Sequence, residues 1–169
     1  GGSGGDGGSG AGGHAALDVE VYESDPAFFA LDSYLIVGPS EAVLVDGQFF
    51  RADAEAVVEL VQQSGKSLKA VFVTHAHPDH YLGLAILRDA FPQAAFVTSA
   101  DVLEDYEQRA QATLESLKPQ LGDAIADEIV PLEALPGNTL EVDGVTLDVI
   151  PVGGGEAPHT ATLSLPAQG

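Results

Sequence analysis

The residues with the clearest capacity for chemistry lie in one run, HAHPDH, at positions 75–80. Imidazole and carboxylate side chains are common protein ligands of zinc and of other transition metals. If extended backbone continues to His77, the side chains of His75 and His77 project to the same side and can bind one ion as a pair. The proline then ends the strand and turns Asp79 and His80 toward the next helix, where they can reach a second ion. The run therefore predicts two neighbouring half-sites for metal.

A solvated histidine-rich turn is the alternative interpretation of this run. In that case Asp79 would serve only as the N-cap of a helix that starts near Tyr81, a role that aspartate performs well and that is compatible with metal binding. This alternative gives no reason for three imidazoles within six residues. We therefore favour a metal site, in which an ion with an open position lowers the pKa of a coordinated water to about 7. Asp79 is the candidate catalytic residue, orienting that water or accepting its proton, because a carboxylate beside a cation stays ionised.

The composition excludes several classes of partner and site. Lysine and arginine number 6 against 26 aspartates and glutamates, and the resulting net charge of −20 repels phosphate backbones and anionic lipid headgroups. The chain has no cysteine, which excludes disulfides, thiolate nucleophiles and thiolate-bound zinc. No apolar run approaches the length of about 18 residues that a membrane-spanning helix requires. We expect a small-molecule substrate, no nucleic-acid partner and no membrane span.

The chain divides into a tail and one domain. Positions 1–13 are almost entirely glycine and serine, a composition typical of flexible coil. This tail is either an engineered linker or the natural tether of an exported protein. Its irregular spacing and Asp6 favour the tether and an extracytoplasmic location over a cytoplasmic one. The chain has 169 residues with 45% apolar side chains, which is enough for a single core, so 14–169 is predicted to form one domain.

The sequence pattern predicts strands and hairpins that alternate with helices. Strands are predicted over 17–22, 33–37, 42–46, 69–73, 94–99, 138–152 (as a hairpin about an Asp-Gly turn) and 160–166. Helices are predicted from 51 to a stop signal at 65, over 81–90 and over 100–122. The strand at 69–73, KAVFV, has the pattern of a strand buried on both faces and ends directly in the histidine run. The long third helix is expected to present a solvated, charged surface. Together these elements predict an α/β sandwich.

Three segments carry a resemblance to a known family. They are SYLIVGPSEAVLVDGQF, VFVTHAHPDHYLGL and TLEVDGVTLDVIPVGGGEAPHTATLSLP, and they resemble the metallo-β-lactamase fold superfamily, a group of mostly zinc-dependent hydrolases with an αββα sandwich. The resemblance implies that His75 and His77 bind the first metal and that Asp79 and His80 bind the second. It also implies that Asp46 lies close beneath the metals; the alternative role for Asp46 is a simple turn residue before Gly47.

The chain departs from the family pattern in the segment that supplies the third ligand of the first metal. Register places Glu156 where the family has histidine, and His159 is the competing ligand if the loop is shifted; the third alternative is that neither residue binds metal. A glutamate beside two histidines is compatible with zinc and suits iron or manganese better. Zinc, as one or two ions, is therefore the expected cofactor, with iron or manganese as alternatives.

The resemblance also covers only the first half or so of the usual αββα domain. The second metal then has two ligands, short of the four that zinc prefers. A half-sandwich leaves a sheet face and an edge uncovered. We therefore expect a second chain or self-association to complete the sandwich.

The predicted function is a metal-dependent hydrolase that uses a metal-activated water to cleave an ester, lactone, lactam or thioester bond. Two alternatives stay open. The first is a mononuclear iron thiol or persulfide dioxygenase, which a glutamate ligand favours. The second is a truncated, non-catalytic module that binds metal.

Overall fold

Two β-sheets and a layer of helices make up the computed structural model, which describes residues 15–28, 30–153 and 157–166. The first sheet contains, in spatial order, β1 (Asp18–Glu23), β2 (Asp32–Val37), β3 (Glu41–Val45), β4 (Ser67–Phe72), β5 (Ala95–Thr98) and β6 (Glu133–Ala134). The second sheet contains β7 (Thr139–Val142), β8 (Val145–Val152) and β9 (Thr160–Ser164). The helices are α1 (Arg51–Ser64), α2 (Pro78–Tyr81), α3 (Leu84–Ala90) and α4 (Ala100–Leu121), followed by a 3-10 turn at Gly122–Ala124.

The pairing of the first sheet brings several strand ends to one edge. Strands β1, β2 and β3 pair antiparallel, whereas β3, β4, β5 and β6 pair parallel. Parallel neighbours require crossover connections, which α1 provides between β3 and β4, α2 and α3 between β4 and β5, and α4 between β5 and β6. The segments that follow β3 and β4 therefore leave the sheet at the same edge, and the 75–80 run is one of them.

Two hydrophobic cores lie on the two faces of the first sheet. On one face Val71 and Val73 pack among residues of the helices, and on the other Ala70 and Phe72 pack among residues of the second sheet. All four side chains are buried. The predicted burial of this strand on both faces is confirmed, and so is the α/β sandwich, whose layers run helices, first sheet, second sheet.

Helix α1 begins and ends as the sequence predicts. Ala54, Val57 and Val61 are buried at helical spacing. Gly65 ends the helix in the left-handed conformation, with φ of 68°, and its N–H donates to the carbonyl of Gln62. None of the helices in the described part of the chain combines the length and the apolar character needed to cross a bilayer.

The helix predicted over 81–90 is wrong in detail, because it forms two shorter helices. Helix α2 begins at Pro78, three residues earlier, and Gly83 separates it from α3. Gly83 is packed against the Gly47 loop: its N–H donates to the carbonyl of Gln48 at 2.8 Å, and a Cβ on it would lie 2.8 Å from that of Ala54. The N-cap of α2 is His77, so Asp79 lies inside the first turn and is not a cap.

Candidate metal centre

Two segments at the carboxyl edge of the first sheet hold the candidate site together. The N–H of Asp46 donates to the carbonyl of Phe72 at 2.8 Å, and the N–H of Gly47 donates to the carbonyl of His80 at 2.8 Å. The N–H of His80 in turn donates to the carbonyl of His77 at 3.0 Å. The loop after β3 is therefore bonded by its backbone to both ends of the segment after β4.

Asp46 lies beneath the histidines. It is 4% exposed, and its φ of 64° lies in the left-handed region, which aspartate tolerates better than most residues. Its carboxylate accepts hydrogen bonds from the N–H and the hydroxyl of Thr74, both at 2.8 Å, and one carboxylate oxygen is 2.8 Å from Nδ1 of His80. These contacts tie the position of Asp46 to the motif itself.

The three imidazoles of the motif are in ring contact. The ring centroids of His75 and His77 are 4.8 Å apart, and those of His75 and His80 are 3.9 Å apart. Burial, followed by the neighbouring His80, lowers the pKa of His75, which keeps its ring in the neutral form that binds metal. Nδ1 of His75 is 2.9 Å from the hydroxyl of Thr74, so Nε2 is the nitrogen left for a ligand.

Asp79 lies on the more open side of the cluster. Its carboxylate is 3.5 Å from Nε2 of His80, and 28% of its side chain is exposed, against 13% for His80. The structure therefore brings His75, His77, Asp79 and His80 close together, with Asp46 in contact with His80.

The candidate ligand atoms lie close together but do not point toward one common position. Among the described residues, no group of three or more histidine, aspartate or glutamate side chains is arranged to hold a metal ion. The nitrogens of His80 lie near Asp46 on one side and Asp79 on the other. In donor type and proximity the cluster fits a divalent transition metal.

The loop before β9 reaches the motif by backbone pairing. Thr160 forms an isolated antiparallel bridge with His75, and the N–H of Ala161 donates to the carbonyl of Thr74 at 2.8 Å. His159 is therefore next to a residue that pairs with the motif. Its ring lies against α4, with Nδ1 at 2.9 Å from the carboxylate of Asp105. Glu156, the other candidate for the third ligand, lies outside the described residues.

Sequence reasoning missed two residues of this neighbourhood, Thr74 and Asp105. Thr74 directly precedes the motif, and that adjacency was the available signal. Asp105 lies on a helix expected to be a solvated surface, yet it is 7% exposed. The signal was its register, because Val102, Asp105 and Tyr106 occupy the same buried face of α4.

Comparisons with known proteins place this geometry in context. The sequence profile described as the metallo-beta-lactamase superfamily matches residues 28–169. A hydroxyacylglutathione hydrolase from Tolumonas auensis is 36% identical over 75 residues, which are 44% of this chain and 28% of that protein. The uncharacterized protein YobT from Bacillus subtilis is 34% identical over 74 residues, which are 44% of this chain and 31% of that protein. The matched region thus spans less than a third of each of these two relatives.

Solved structures share the fold. The crystal structure of BLEG-1, a B3 metallo-beta-lactamase, superposes with a TM-score of 0.62 at 19% identity. The superposition covers 88% of this chain and 67% of that one. At that identity the likeness concerns the fold alone.

Proposed function

The chain belongs to the metallo-beta-lactamase superfamily, and from this premise we propose that it is a metal-dependent hydrolase whose site is built on the 75–80 run. The superfamily is hydrolytic and its members bind metal ions, most often zinc. The observation that carries the proposal is the contact of three imidazoles at the carboxyl edge of the first sheet, with ring centroids 4.8 Å and 3.9 Å apart.

The proposed ligands follow from the neighbourhoods of the side chains. His75 and His77 bind the first ion, and Asp79 and His80 bind a second ion when one is present. Among the described residues, we propose His159 as the third ligand of the first ion, because its neighbour Thr160 pairs with His75. Glu156 stays the alternative. Zinc is the proposed metal, with iron or manganese as alternatives.

The residues around the ligands have separate tasks. A bound divalent ion acidifies water and polarises a carbonyl oxygen. Asp46 fixes Thr74 and His80 through its carboxylate, which limits the rotation of both residues. Asp79, the more exposed carboxylate, orients the attacking water or takes its proton.

The proposed substrate is a small molecule with a thioester bond. The support is the similarity to hydroxyacylglutathione hydrolases from Tolumonas auensis and two other bacteria, at 36%, 40% and 47% identity over short segments. Ester, lactone and lactam bonds are the other substrates of the proposal, because the same water attack cleaves them. Substrate choice in such a fold depends on the loops around the site.

The proposal is tested by measuring metal content and hydrolysis in the same preparations. We expect the purified protein to bind zinc and to hydrolyse a hydroxyacyl thioester of glutathione. His75→Ala and His77→Ala are expected to lose both properties, whereas the matched control His14→Ala, outside the motif, keeps them. Retained metal stoichiometry in both motif variants would contradict the proposed site. Full zinc occupancy without hydrolysis of thioester, ester, lactone or lactam substrates would instead identify a non-catalytic metal-binding module.

A further inference from the structure

Asp105 is a buried carboxylate in the interior of a long helix. It lies on the buried face of α4 with Val102 and Tyr106, and it is 7% exposed. Burying a carboxylate is costly unless hydrogen bonds or an opposite charge compensate it. An aspartate at this place in an apolar stripe therefore needs a partner that stabilises it.

His159 is that partner, through two of its groups. Its backbone N–H donates to Oδ2 of Asp105 at 3.2 Å, and its Nδ1 lies 2.9 Å from the same oxygen. With the Nδ1 proton directed at the carboxylate, the neutral ring carries its lone pair on Nε2. The contact thus fixes the tautomer and the orientation of a ring that is otherwise 47% exposed.

The same segment is fixed to the motif from its other side. Thr160 pairs with His75, and Ala161 donates to the carbonyl of Thr74. The segment at His159 is therefore held on one side by Asp105 of α4 and on the other by the backbone of Thr74 and His75. It also lines a cleft of about 160 Å³ together with Ser99, Asp101 and other residues of the β8–β9 region.

We infer that Asp105 is the positioning residue of the metal site: it holds His159 in the Nδ1-protonated tautomer and presents Nε2 as the ligand nitrogen. The inference rests on the proposed function, because it assigns His159 to the metal. Carboxylates that orient a ligating imidazole in this way raise its basicity, and removing them weakens metal binding by about 10–100-fold.

The first measurement is the tautomer of His159 in the metal-free protein. Nitrogen chemical shifts of the ring, assigned by comparison with His159→Gln, are expected to show protonated Nδ1 in the wild type. In Asp105→Ala they are expected to show a mixture of tautomers. A wild-type ring that already exchanges freely between tautomers would overturn the inference whether or not the protein binds metal.

The second measurement is the zinc dissociation constant, obtained by competition with a chelator. Asp105→Ala is expected to bind zinc about 10–100-fold more weakly than wild type. Asp105→Asn, which keeps an oxygen acceptor, should lose less, and Glu107→Gln, at an exposed position of the same helix, should bind as wild type does. Wild-type affinity in a folded Asp105→Ala would overturn the inference. Absence of zinc binding by the wild type would instead count against the proposed function, while the tautomer measurement would still decide whether Asp105 positions His159.

Discussion

At the scale of single residues, the strongest prediction concerns the stability effect of replacing Asp46. Its buried carboxylate accepts from Thr74 twice and contacts His80, and its φ of 64° is unfavourable for most side chains. Asp46→Ala leaves these buried groups without their acceptor and adds backbone strain. Because an unsatisfied buried polar group costs about 1–3 kcal/mol, we expect at least that loss in the free energy of unfolding, measured by urea denaturation.

The matched control for Asp46 is Asp148, an exposed aspartate of β8. Asp148→Ala should change stability little, since surface substitutions usually stay within about 0.5 kcal/mol. Asp46→Asn should fall between the two, because asparagine tolerates the left-handed backbone yet accepts with one oxygen only. Equal stabilities of the Asp46→Ala and Asp148→Ala variants would show that Asp46 is an ordinary turn residue.

The candidate site was predictable from sequence only in part, and the reason lies in the range of its contacts. His75, His77, Asp79 and His80 are close in the chain, so their spacing alone indicated one cluster. The contact between Asp105 and His159 joins residues that are 54 apart, and no local pattern encodes it. The assignments of Glu156 and His159 to metal stay predictions.

At the scale of elements, Gly83 sets the break between α2 and α3. A Cβ there would crowd the backbone of Gly47 and the side chain of Ala54. Gly83→Ala therefore forces α3 away from the loop that holds Asp46, and we expect a loss of about 1–3 kcal/mol in unfolding free energy, as for other overpacked cores. The control is Gly153→Ala, where a Cβ meets nothing within 4 Å. The explanation fails if the two alanine variants unfold at the same denaturant concentration.

Asp143 links the hairpin of the second sheet to the β2–β3 turn by hydrogen bonds. Its carboxylate accepts from the hydroxyl of Ser40 and from the N–H groups of Ser40 and Glu41, at 2.9 and 2.8 Å for the latter two. The Ser40 hydroxyl, followed by these N–H groups, lowers the pKa of Asp143. A depressed pKa in the folded state means that the ionised carboxylate stabilises the fold above the unfolded-state pKa, and that this contribution disappears as pH falls through the folded-state pKa.

The stability of Asp143→Asn relative to wild type should therefore depend on pH. Asparagine tolerates the φ of 47° at this turn, so the comparison isolates the charge. Urea denaturation at neutral pH should show the variant to be less stable, and the difference should shrink toward zero in strong acid. A difference that stays constant across this range would show that ionisation of Asp143 does not contribute.

The elements themselves were largely predictable because each has a local signal. Gly65, in the left-handed conformation, ends α1 where the pattern indicates. The Asp143-Gly144 turn likewise joins β7 to β8 at the predicted position. The two-residue strand β6 has no such signal, since it exists only through its pairing with β5. The break at Gly83 was missed for a related reason: it depends on a loop more than 30 residues earlier in the chain, Gly47–Gln48.

At the scale of the whole molecule, an apolar strip on the first sheet is exposed. Val19 and Val21 stand opposite Ile36 and Tyr34 across the β1–β2 pair, and Ile36 belongs to the core between the sheets. Val19, Val21 and Tyr34 are 47%, 45% and 41% exposed. Association with a second chain or a second copy through this side stays a prediction.

Sedimentation velocity over a range of protein and salt concentrations tests that association. The net charge of −20 opposes contact between copies, and salt screens this repulsion. We therefore expect self-association to increase with salt and to be weaker in Val21→Lys than in wild type. A wild-type protein that sediments as a monomer at every salt concentration would exclude self-association.

The central claim is that the imidazoles of the 75–80 run bind a metal ion. X-ray absorption of the zinc-loaded protein tests it directly, because zinc–imidazole bonds of about 2.0–2.1 Å produce characteristic outer-shell scattering from the ring. The account predicts at least two imidazole ligands in the wild type and fewer in His77→Ala. A zinc shell made only of oxygen atoms, or one unchanged in His77→Ala, would contradict it.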